Sequence, residues 1–169
     1  YSLLSTEKWL GVARIYVSVG EYAKANQALD KEEKSPFDAF AIGVAGVVAG
    51  MDAGETLFSY LELPKQFMLH KTQLEIGQLK EAKQGFDKLL LDKRSESNGE
   101  IYWMLLFDRG RIAAAEGDMG GAVKLWRQSV EIIEQQRSTI NTEANKIGFA
   151  GDKQAVYRHL IGGLFTTQQ

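Results

Sequence analysis

The amino-acid sequence predicts an all-α protein made of antiparallel helix hairpins that stack on one another. Apolar residues recur every three or four positions along most of the 169 residues, which is the spacing of one helix face. Glycine occurs 17 times and proline twice, a composition typical of helices joined by glycine turns. Because 44% of the residues are hydrophobic, the chain can bury a core, and we predict one helical domain over residues 1–169.

The first hairpin is predicted over residues 6–34. A helix over residues 6–18 should have Ser5 as its N-cap, and Gly20 should end it. A second helix follows the glycine at once. The apolar and aromatic residues that set the two helical patterns are Trp9, Val12, Ala13 and Tyr16, then Tyr22, Ala25, Ala28 and Leu29.

Residues 37–63 are predicted to form an irregular helical insert. Ser35 and Pro36 mark a helix start, and that helix should run to about Gly50. Its uncharged part, residues 39–51, is shorter than the ~20 residues of a membrane-spanning helix, so we predict a buried helix and no membrane span. Asp52 and Glu55 predict the cap of a short helix. Three glycines spaced by four favour close packing of two backbones: Gly46, Gly50 and Gly54.

A second hairpin is predicted over residues 64–92, where Pro64 restarts the chain and Gly77 forms the turn. The polar residues 93–100 predict a solvated turn. Within it, Ser97 and Glu100 predict the capping box of a helix that runs to about residue 116.

The third hairpin is predicted over residues 100–147, and its second helix is long. We expect the apolar stripe of that helix to pack against a capping helix over about residues 152–166. The alternative is an intermolecular coiled coil that makes a homodimer, in which Arg137 would need Glu134 or an acidic residue of the partner. The stripe consists of Val123, Trp126, Val130, Ile133, Arg137, Ile140, Ala144 and Ile147, and the capping helix faces it with Val156, Leu160 and Leu164.

The three hairpins share a sequence pattern, and a hairpin of this kind must stack on copies of itself to bury its face. A small residue five positions after each turn glycine lets the second helix approach closely, and a large residue nine positions after it fills the gap. The turn glycines are Gly20, Gly77 and Gly117, each followed after two positions by Tyr22, Leu79 or Met119. The alanines are Ala25, Ala82 and Ala122, and the large residues are Leu29, Phe86 and Trp126.

This pattern resembles the tetratricopeptide repeat (TPR), and the resemblance implies a right-handed TPR-like superhelix over about two thirds of the chain. The second and third hairpins depart from the family at His70, Gln73 and Arg109, whereas Gly110 fits its small site. The turn glycines also lie farther apart than the family's ~34 residues, so an insert is expected. The first hairpin matches best, with Trp9, Tyr16, Gly20, Tyr22 and Ala25 in the family's spacing and Pro36 one residue early.

The C-terminal third is similar to the end of TPR arrays in bacterial proteins that continue into a CHAT domain, a caspase-like peptidase module. The segments that carry this resemblance are residues 122–126 and 131–137, followed by Phe149, Asp152, Lys153, Val156 and Tyr157. The catalytic histidine and cysteine of such a module are absent. The resemblance therefore implies the repeat region alone, or a relative without the peptidase.

The overall charge excludes some functions. Twenty basic and 22 acidic residues give a net charge of −2, which argues against a nucleic-acid-binding or anionic-membrane surface. The absence of cysteine excludes disulfides and thiolate metal sites within these residues and leaves the compartment open. The chain begins with Tyr1 and has no signal-peptide pattern, so we expect a processed or excised chain.

Catalytic and metal-binding groups do not cluster in the sequence. His70 and His159 are far apart and lack neighbouring ligand patterns, so structural roles are expected for both. Residues 50–56 lack the lysine of a phosphate-binding loop, and residues 92–99 do not match a calcium loop. We predict no enzymatic activity, cofactor or metal site.

A TPR-like stack offers a concave groove for a peptide or partner protein. Six positions before each turn glycine lies a basic residue, namely Arg14, Lys71 and Arg111. We predict that these cations pair with an acidic partner while apolar anchors give affinity. The alternative is that they are solvated helix charges with buried stems. The predicted anchors are Leu10, Val17, Phe67, Leu74 and Phe107.

The sequence thus favours a non-catalytic scaffold for protein–protein interaction. Two alternatives stay open. One is a regulatory repeat region of a CHAT-type peptidase whose catalytic domain is not in this chain. The other is a structural oligomerisation domain.

Overall fold

The structure is a computed structural model that describes residues 3–30, 40, 44, 46–50, 52–139 and 153–167, with the backbone only for residues 3–7, 57, 60 and 61. Throughout these ranges the secondary structure is helix and turn without a strand, which confirms the all-α prediction. Contacts divide the chain into two compact units, Tyr1–Leu89 and Leu90–Gln169. Each unit is described by itself.

The first unit contains two helix hairpins and a short helical segment between them. Helices α1 (Leu3–Ser18) and α2 (Tyr22–Asp30) form the first hairpin. Helix α3 (Ala53–Leu57) continues through a π-helical turn (Phe58–Glu62) into α4 (Leu63–Glu75). Helix α5 (Leu79–Leu91) follows α4 after a short turn.

Helix α4 packs against the first hairpin. Leu10, Ala13, Ala25, Ala28 and Leu29 form the hairpin's buried cluster, and Met68 and Leu69 of α4 pack onto that cluster. On the same side of α4, the fully buried Thr72 has its Oγ1 3.3 Å from Oδ1 of Asn26 in α2. Stacking of one hairpin on a helix of the next is therefore present within this unit.

One helix start in the first unit differs from the sequence prediction and another agrees with it. Helix α1 already begins at Leu3, so Ser5 lies inside it and is not its N-cap; leucines at positions 3 and 4 are strong helix formers. Helix α4 begins at Leu63, one residue before the predicted start, with Pro64 in its first turn, where the missing N–H of proline costs little. The π-helical turn leads directly into α4, so the chain stays helical at this start.

The insert is described only in part. The helix start predicted at Ser35–Pro36 lies outside the described residues, but Phe40, Val44 and residues 46–48 are helical, and Gly50 has a φ of 79°. The prediction of a buried helix is wrong for the described apolar side chains of this segment, because Phe40, Val44, Val47 and Val48 are exposed. Asp52 caps α3 as predicted by accepting the backbone N–H groups of Gly54 and Glu55. Gly46 is buried directly against the side chain of Thr56, whereas a Cβ on Gly50 would meet no atom within 4 Å, so the glycines do not bring two backbones together as predicted.

The second unit is a hairpin with a third helix packed on it. A 3₁₀ turn (Lys93–Ser97) precedes α6 (Gly99–Ala115), which pairs with α7 (Met119–Ser138). Helix α8 (Gln154–Thr167) packs against α7. Val156 of α8 joins Trp103 and Ile133 in one buried cluster, and Leu160 packs on Trp126 in another.

The cap of α6 and the end of α7 differ from the prediction. Asn98, not Ser97, caps α6 by accepting the N–H of Ile101. Ser97 belongs to the 3₁₀ turn, where its hydroxyl donates to the carbonyl of Arg94. Helix α7 ends at Ser138, before the predicted residue 147, and the hydroxyls of Ser138 and Thr139 donate to carbonyls of its last turn. The predicted stripe positions beyond residue 139 lie outside the described residues.

The stripe of α7 packs inside the second unit. Val123, Trp126 and Ile133 are buried, as the packing of the stripe within one chain predicts. Arg137 donates to Glu134 at 3.3 Å, the partner that the coiled-coil alternative named, and this contact lies within one chain. The hydroxyl of Tyr157 donates to the same carboxylate at 2.5 Å. Burial, the hydrogen bond and the negative charge of Glu134 raise the pKa of Tyr157 to about 12, with Arg137 opposing the rise. This polar contact joins α8 to the end of α7.

The repeated positions have the same structural role in all three hairpins. Gly20, Gly77 and Gly117 have φ values of 76°, 84° and 85°, which only glycine adopts without strain. The three alanines have no exposed surface, and the three large residues are buried: Ala25, Ala82 and Ala122, then Leu29, Phe86 and Trp126. The local hairpin pattern is thus the same three times.

Two further glycines lie under a large side chain of the neighbouring helix. A Cβ on Gly110 of α6 would lie 2.5 Å from Nε1 of Trp126 in α7. Gly85 of α5 lies directly beneath the ring of His70 in α4. His70 also contacts the ring of Phe86 edge-on and has Nδ1 2.9 Å from Oε1 of Gln73. Both glycines are required for close packing.

We expect Gly110→Ala to lower the free energy of unfolding by ~1–3 kcal/mol, because the buried Trp126 cannot move away from the new methyl group. The matched control is Gly162→Ala in α8, where no atom lies within 4 Å of the added Cβ. There we expect a change between zero and a gain of ~1 kcal/mol from helix propensity. Urea unfolding followed by circular dichroism measures both, and equal effects would contradict the packing.

Stability should fall as the pH falls from 7.5 to 5. Burial lowers the pKa of His70 below its usual 6.5; the hydrogen bond to Gln73 opposes this shift and the charge of Lys88 adds to it. The unfolded chain therefore binds a proton at His70 more readily than the folded chain. The contribution of neutral His70 to the free energy of unfolding is thus present above pH 6.5 and is lost as the pH falls below that value. In urea unfolding at the two pH values, His70→Gln should reduce the change in the free energy of unfolding with pH. A slope unchanged by His70→Gln would contradict the assignment.

Candidate interaction surface

Three of the apolar anchors that the sequence assigned to an exposed binding strip are buried. Leu10, Phe67 and Leu74 belong to the core of the first unit, because α1 and α4 turn these residues toward neighbouring helices. Val17 is half-buried against the same cluster as Leu10. Phe107 is half-buried in the second unit, with its ring 5.1 Å from that of His159. These side chains stabilise the hairpins and leave little surface for a partner.

The three basic residues of the predicted column have different surroundings. Lys71 lies 3.5 Å from the carboxylate of Glu75 one turn later. Arg111 lies 2.9 Å from Asp108. Arg14 is exposed and makes no ion pair with the described part of the chain. Arg14 and Lys71 lie in the first unit and Arg111 in the second. Of the three cations, Arg14 is the one best placed to meet a partner.

Arg111 has a structural role. The side chain of Asp108 is 1% exposed, and a buried carboxylate is costly unless a cation or hydrogen-bond donor faces it. Arg111, one turn later on α6, donates Nη1 to that carboxylate. Its charge therefore stabilises the folded second unit.

An apolar strip bordered by cations lies on the exposed side of α1. Ile15 and Val19 are each 65% exposed, and Val19, in the turn that follows α1, donates its backbone N–H to the carbonyl of Ile15. Gly11, four residues before Ile15, continues the strip, with no atom within 4 Å of the position of a Cβ. Lys8 is exposed at the start of the same strip, seven residues before Ile15, and Arg14 is exposed beside it. We call these five residues the α1 face.

The opposite side of the helix fixes this arrangement. Leu10 and Ala13 are buried against α2, which commits that side of α1 to the core. Ile15 lies five residues after Leu10, more than a third of a turn around the helix, and therefore points away from it. The α1 face has positive charge and apolar side chains together, the chemistry that suits a partner segment with acidic and apolar residues.

Ile15 and Val19 are not among the residues that the sequence predicted for a binding surface, although their signal was present. Both residues fall outside the apolar pattern that defines the buried side of α1, and two apolar residues at helical spacing on the other side indicate a second apolar face. Only the burial of Leu10 and Ala13 decides which of the two faces stays exposed.

The two histidines have packing roles in the structure. His70 lies between Phe86 and Gly85, and the ring of His159 lies 5.1 and 5.3 Å from those of Phe107 and Trp126. Across residues 3–30, 52–139 and 153–167 and the few described positions of the insert, no group of three histidine, aspartate or glutamate side chains could hold a metal ion. In the same ranges no helix combines the length and the apolar character of a membrane span.

Comparison of the chain with protein-family models, with curated proteins and with solved structures found no match.

Charge reversal should lower stability at Arg111 and leave it nearly unchanged at Arg14. Arg111→Glu places a second carboxylate beside the buried Asp108, and we expect the free energy of unfolding to fall by ~1–3 kcal/mol, with solvent screening at the partly exposed arginine limiting the loss. Arg14→Glu lies at an exposed site and should change the free energy of unfolding by less than ~0.5 kcal/mol. Urea midpoints at equal m-values compare the variants. A stable Arg111→Glu protein would contradict the structural role of that residue.

Proposed function

We propose that the protein is a non-catalytic protein-interaction module and that the α1 face binds a partner segment with acidic and apolar side chains. The observation that carries the proposal is the exposure of Ile15 and Val19 at the end of α1, beside the exposed cations Lys8 and Arg14. Exposed apolar residues are ordinary when scattered singly, whereas neighbouring exposed apolar residues with a polar rim mark a candidate interaction surface.

The binding free energy expected for this surface is that of a transient contact. Burying Ile15 and Val19 contributes ~1.5–3 kcal/mol each before the cost of association. Ion pairs of Lys8 and Arg14 at the rim add less than ~1 kcal/mol each and mainly speed and orient binding. Affinity should therefore depend on the apolar pair, and salt sensitivity on the cations.

We also propose that the hairpins follow a TPR-like right-handed superhelix. The support is the shared positive φ of the three turn glycines, the full burial of the three alanines, and the packing of α4 on the first hairpin. In such a stack α1 is the first helix of a hairpin, the position from which TPR-like arrays present residues to a partner.

Helix α8 exposes a comparable apolar pair, Ile161 and Phe165, with Arg158 as the exposed cation beside it. We favour α1 because two cations border its strip. The pair on α8 supplies matched control variants of the same chemistry in the second unit.

A selection from a displayed library of random 16-residue peptides on the folded chain tests the proposal. Selected peptides should be enriched in aspartate, glutamate and apolar residues. Their affinity, measured by fluorescence anisotropy, should fall as the salt concentration rises. Ile15→Glu should weaken binding at least ~10-fold, because it removes an apolar contact worth at least 1.4 kcal/mol and adds a like charge. Arg14→Glu should weaken it less.

The matched control is Ile161→Glu, which should leave peptide affinity unchanged. Peptides that bind wild type and Ile15→Glu equally well would overturn the proposal, as would a selection without acidic enrichment.

A further inference from the structure

Several glycines inside the helices of this structure lie under a side chain of a neighbouring helix. The missing side chain leaves a notch on one helix, and the neighbour fills that notch at a distance that a Cβ would prevent. The pairs are Gly110 with Trp126, Gly163 with Val123, and Gly85 with His70. In all three pairs the side chain that fills the notch projects from a helix.

Gly11 of α1 forms a notch of the same kind that is open. In the described part of the chain, no atom lies within 4 Å of the position of a Cβ on this glycine. Gly11 lies near the middle of a helix of 16 residues, where glycine destabilises the helix relative to alanine. Within the described residues no packing contact over Gly11 offsets that loss. The notch is therefore accessible to a side chain of another molecule.

The residues around Gly11 belong to the α1 face. The neighbours of a residue on a helix surface are those three and four positions away. For Gly11 they include Lys8, Arg14 and Ile15, which are all exposed. Lys8 and Arg14 lie on opposite sides of the notch along the helix. A side chain seated over Gly11 would thus contact Ile15 and lie between two cations.

We propose that the partner segment is an acidic amphipathic helix that places a large apolar side chain over Gly11. This inference rests on the proposed function, because it specifies what binds the α1 face. Apolar residues three and four positions apart on the partner helix would cover Gly11 and Ile15 together. Acidic residues beside them would face Lys8 and Arg14.

The backbone of α1 favours a helical partner over an extended one. The N–H and C=O groups in the interior of a helix are already paired with each other, so α1 offers an extended segment no main-chain hydrogen bonds. A partner helix pairs its own backbone groups and needs only side-chain contacts. Within this chain, too, it is helices that fill the notches at Gly110, Gly163 and Gly85.

The experiment uses the peptide of highest affinity from the 16-residue selection as its probe, with fluorescence anisotropy on the full chain. Circular dichroism of the mixture, compared with that of the separate components, should show that the peptide becomes helical on binding. Gly11→Leu fills the notch and should weaken binding at least ~10-fold, because it displaces the large side chain of the partner. Gly11→Ala should weaken it less.

Stability separates the notch from a structural role of the glycine. Both substitutions should raise the urea midpoint of the chain, because leucine and alanine favour a helix and the added atoms have open space. Gly162→Leu is the matched control, since Gly162 of α8 also has no atom within 4 Å of a Cβ. This control should leave the affinity for the peptide unchanged.

A double-mutant cycle identifies the side chain that fills the notch. Each large apolar residue of the peptide is replaced in turn by alanine. The one that lies over Gly11 should reduce affinity for wild type at least ~10-fold and affinity for Gly11→Leu less than ~3-fold, because leucine has already displaced it.

Unchanged or tighter binding by Gly11→Leu, a lowered urea midpoint of that variant, a bound peptide without helix, or an equal loss in Gly162→Leu would each overturn the inference. If Ile15→Glu still weakens binding in such a case, the inference fails and the proposed function stands. If Ile15→Glu leaves binding intact, both fail.

Discussion

The structure depends on one packing constraint: at the places where helices approach closest, a large side chain of one helix lies over a position of its neighbour that has no side chain. Trp126 lies over Gly110, His70 over Gly85, and Val123 over Gly163 of α8. The fully buried alanine five positions after each turn glycine also allows close approach, although its methyl group keeps the helices slightly farther apart than a glycine would. Close approach brings many atoms into van der Waals contact, and packing of this density cannot slide or rotate by small steps. Each helix is therefore held in one rotation about its axis.

That rotation determines which residues are available for function. On α1 it directs Leu10 and Ala13 into the hairpin and leaves Ile15 exposed, with the exposed cations Lys8 and Arg14 beside it. On α6 it buries Asp108, which makes Arg111 a structural partner rather than a free cation. The basic, apolar surface that we assign to α1 follows from the burial of the opposite side of that helix. Function in this chain is thus a consequence of which side of each helix the core uses.

Much of the fold could be predicted from the sequence, because turn glycines and helical periodicity are local signals. The bounds of α4, α5 and α6 lie within a residue or two of the predicted ones, and the turn glycines have the expected conformation. Competition between adjacent caps is not a local signal, so the sequence predicts Ser97 as the cap where Asn98 acts. Helix α7 also ends earlier than its apolar stripe predicts. The candidate site was predicted in its chemistry but not in its apolar residues. A periodic pattern shows that Leu10 and Ile15 lie on different sides, and only the packing of α2 and α4 decides which side is buried.

The proposed function requires that a partner segment contacts the α1 face. This contact is measured in the spectrum of the isoleucine δ1 methyl groups, labelled with ¹³C, as a selected acidic, apolar peptide is added at low salt, where electrostatic contributions are largest. We expect the Ile15 resonance to shift or broaden while those of Ile76 and Ile161, which are also exposed, stay unchanged. An unchanged Ile15 resonance, or changes centred on Ile161, would contradict it.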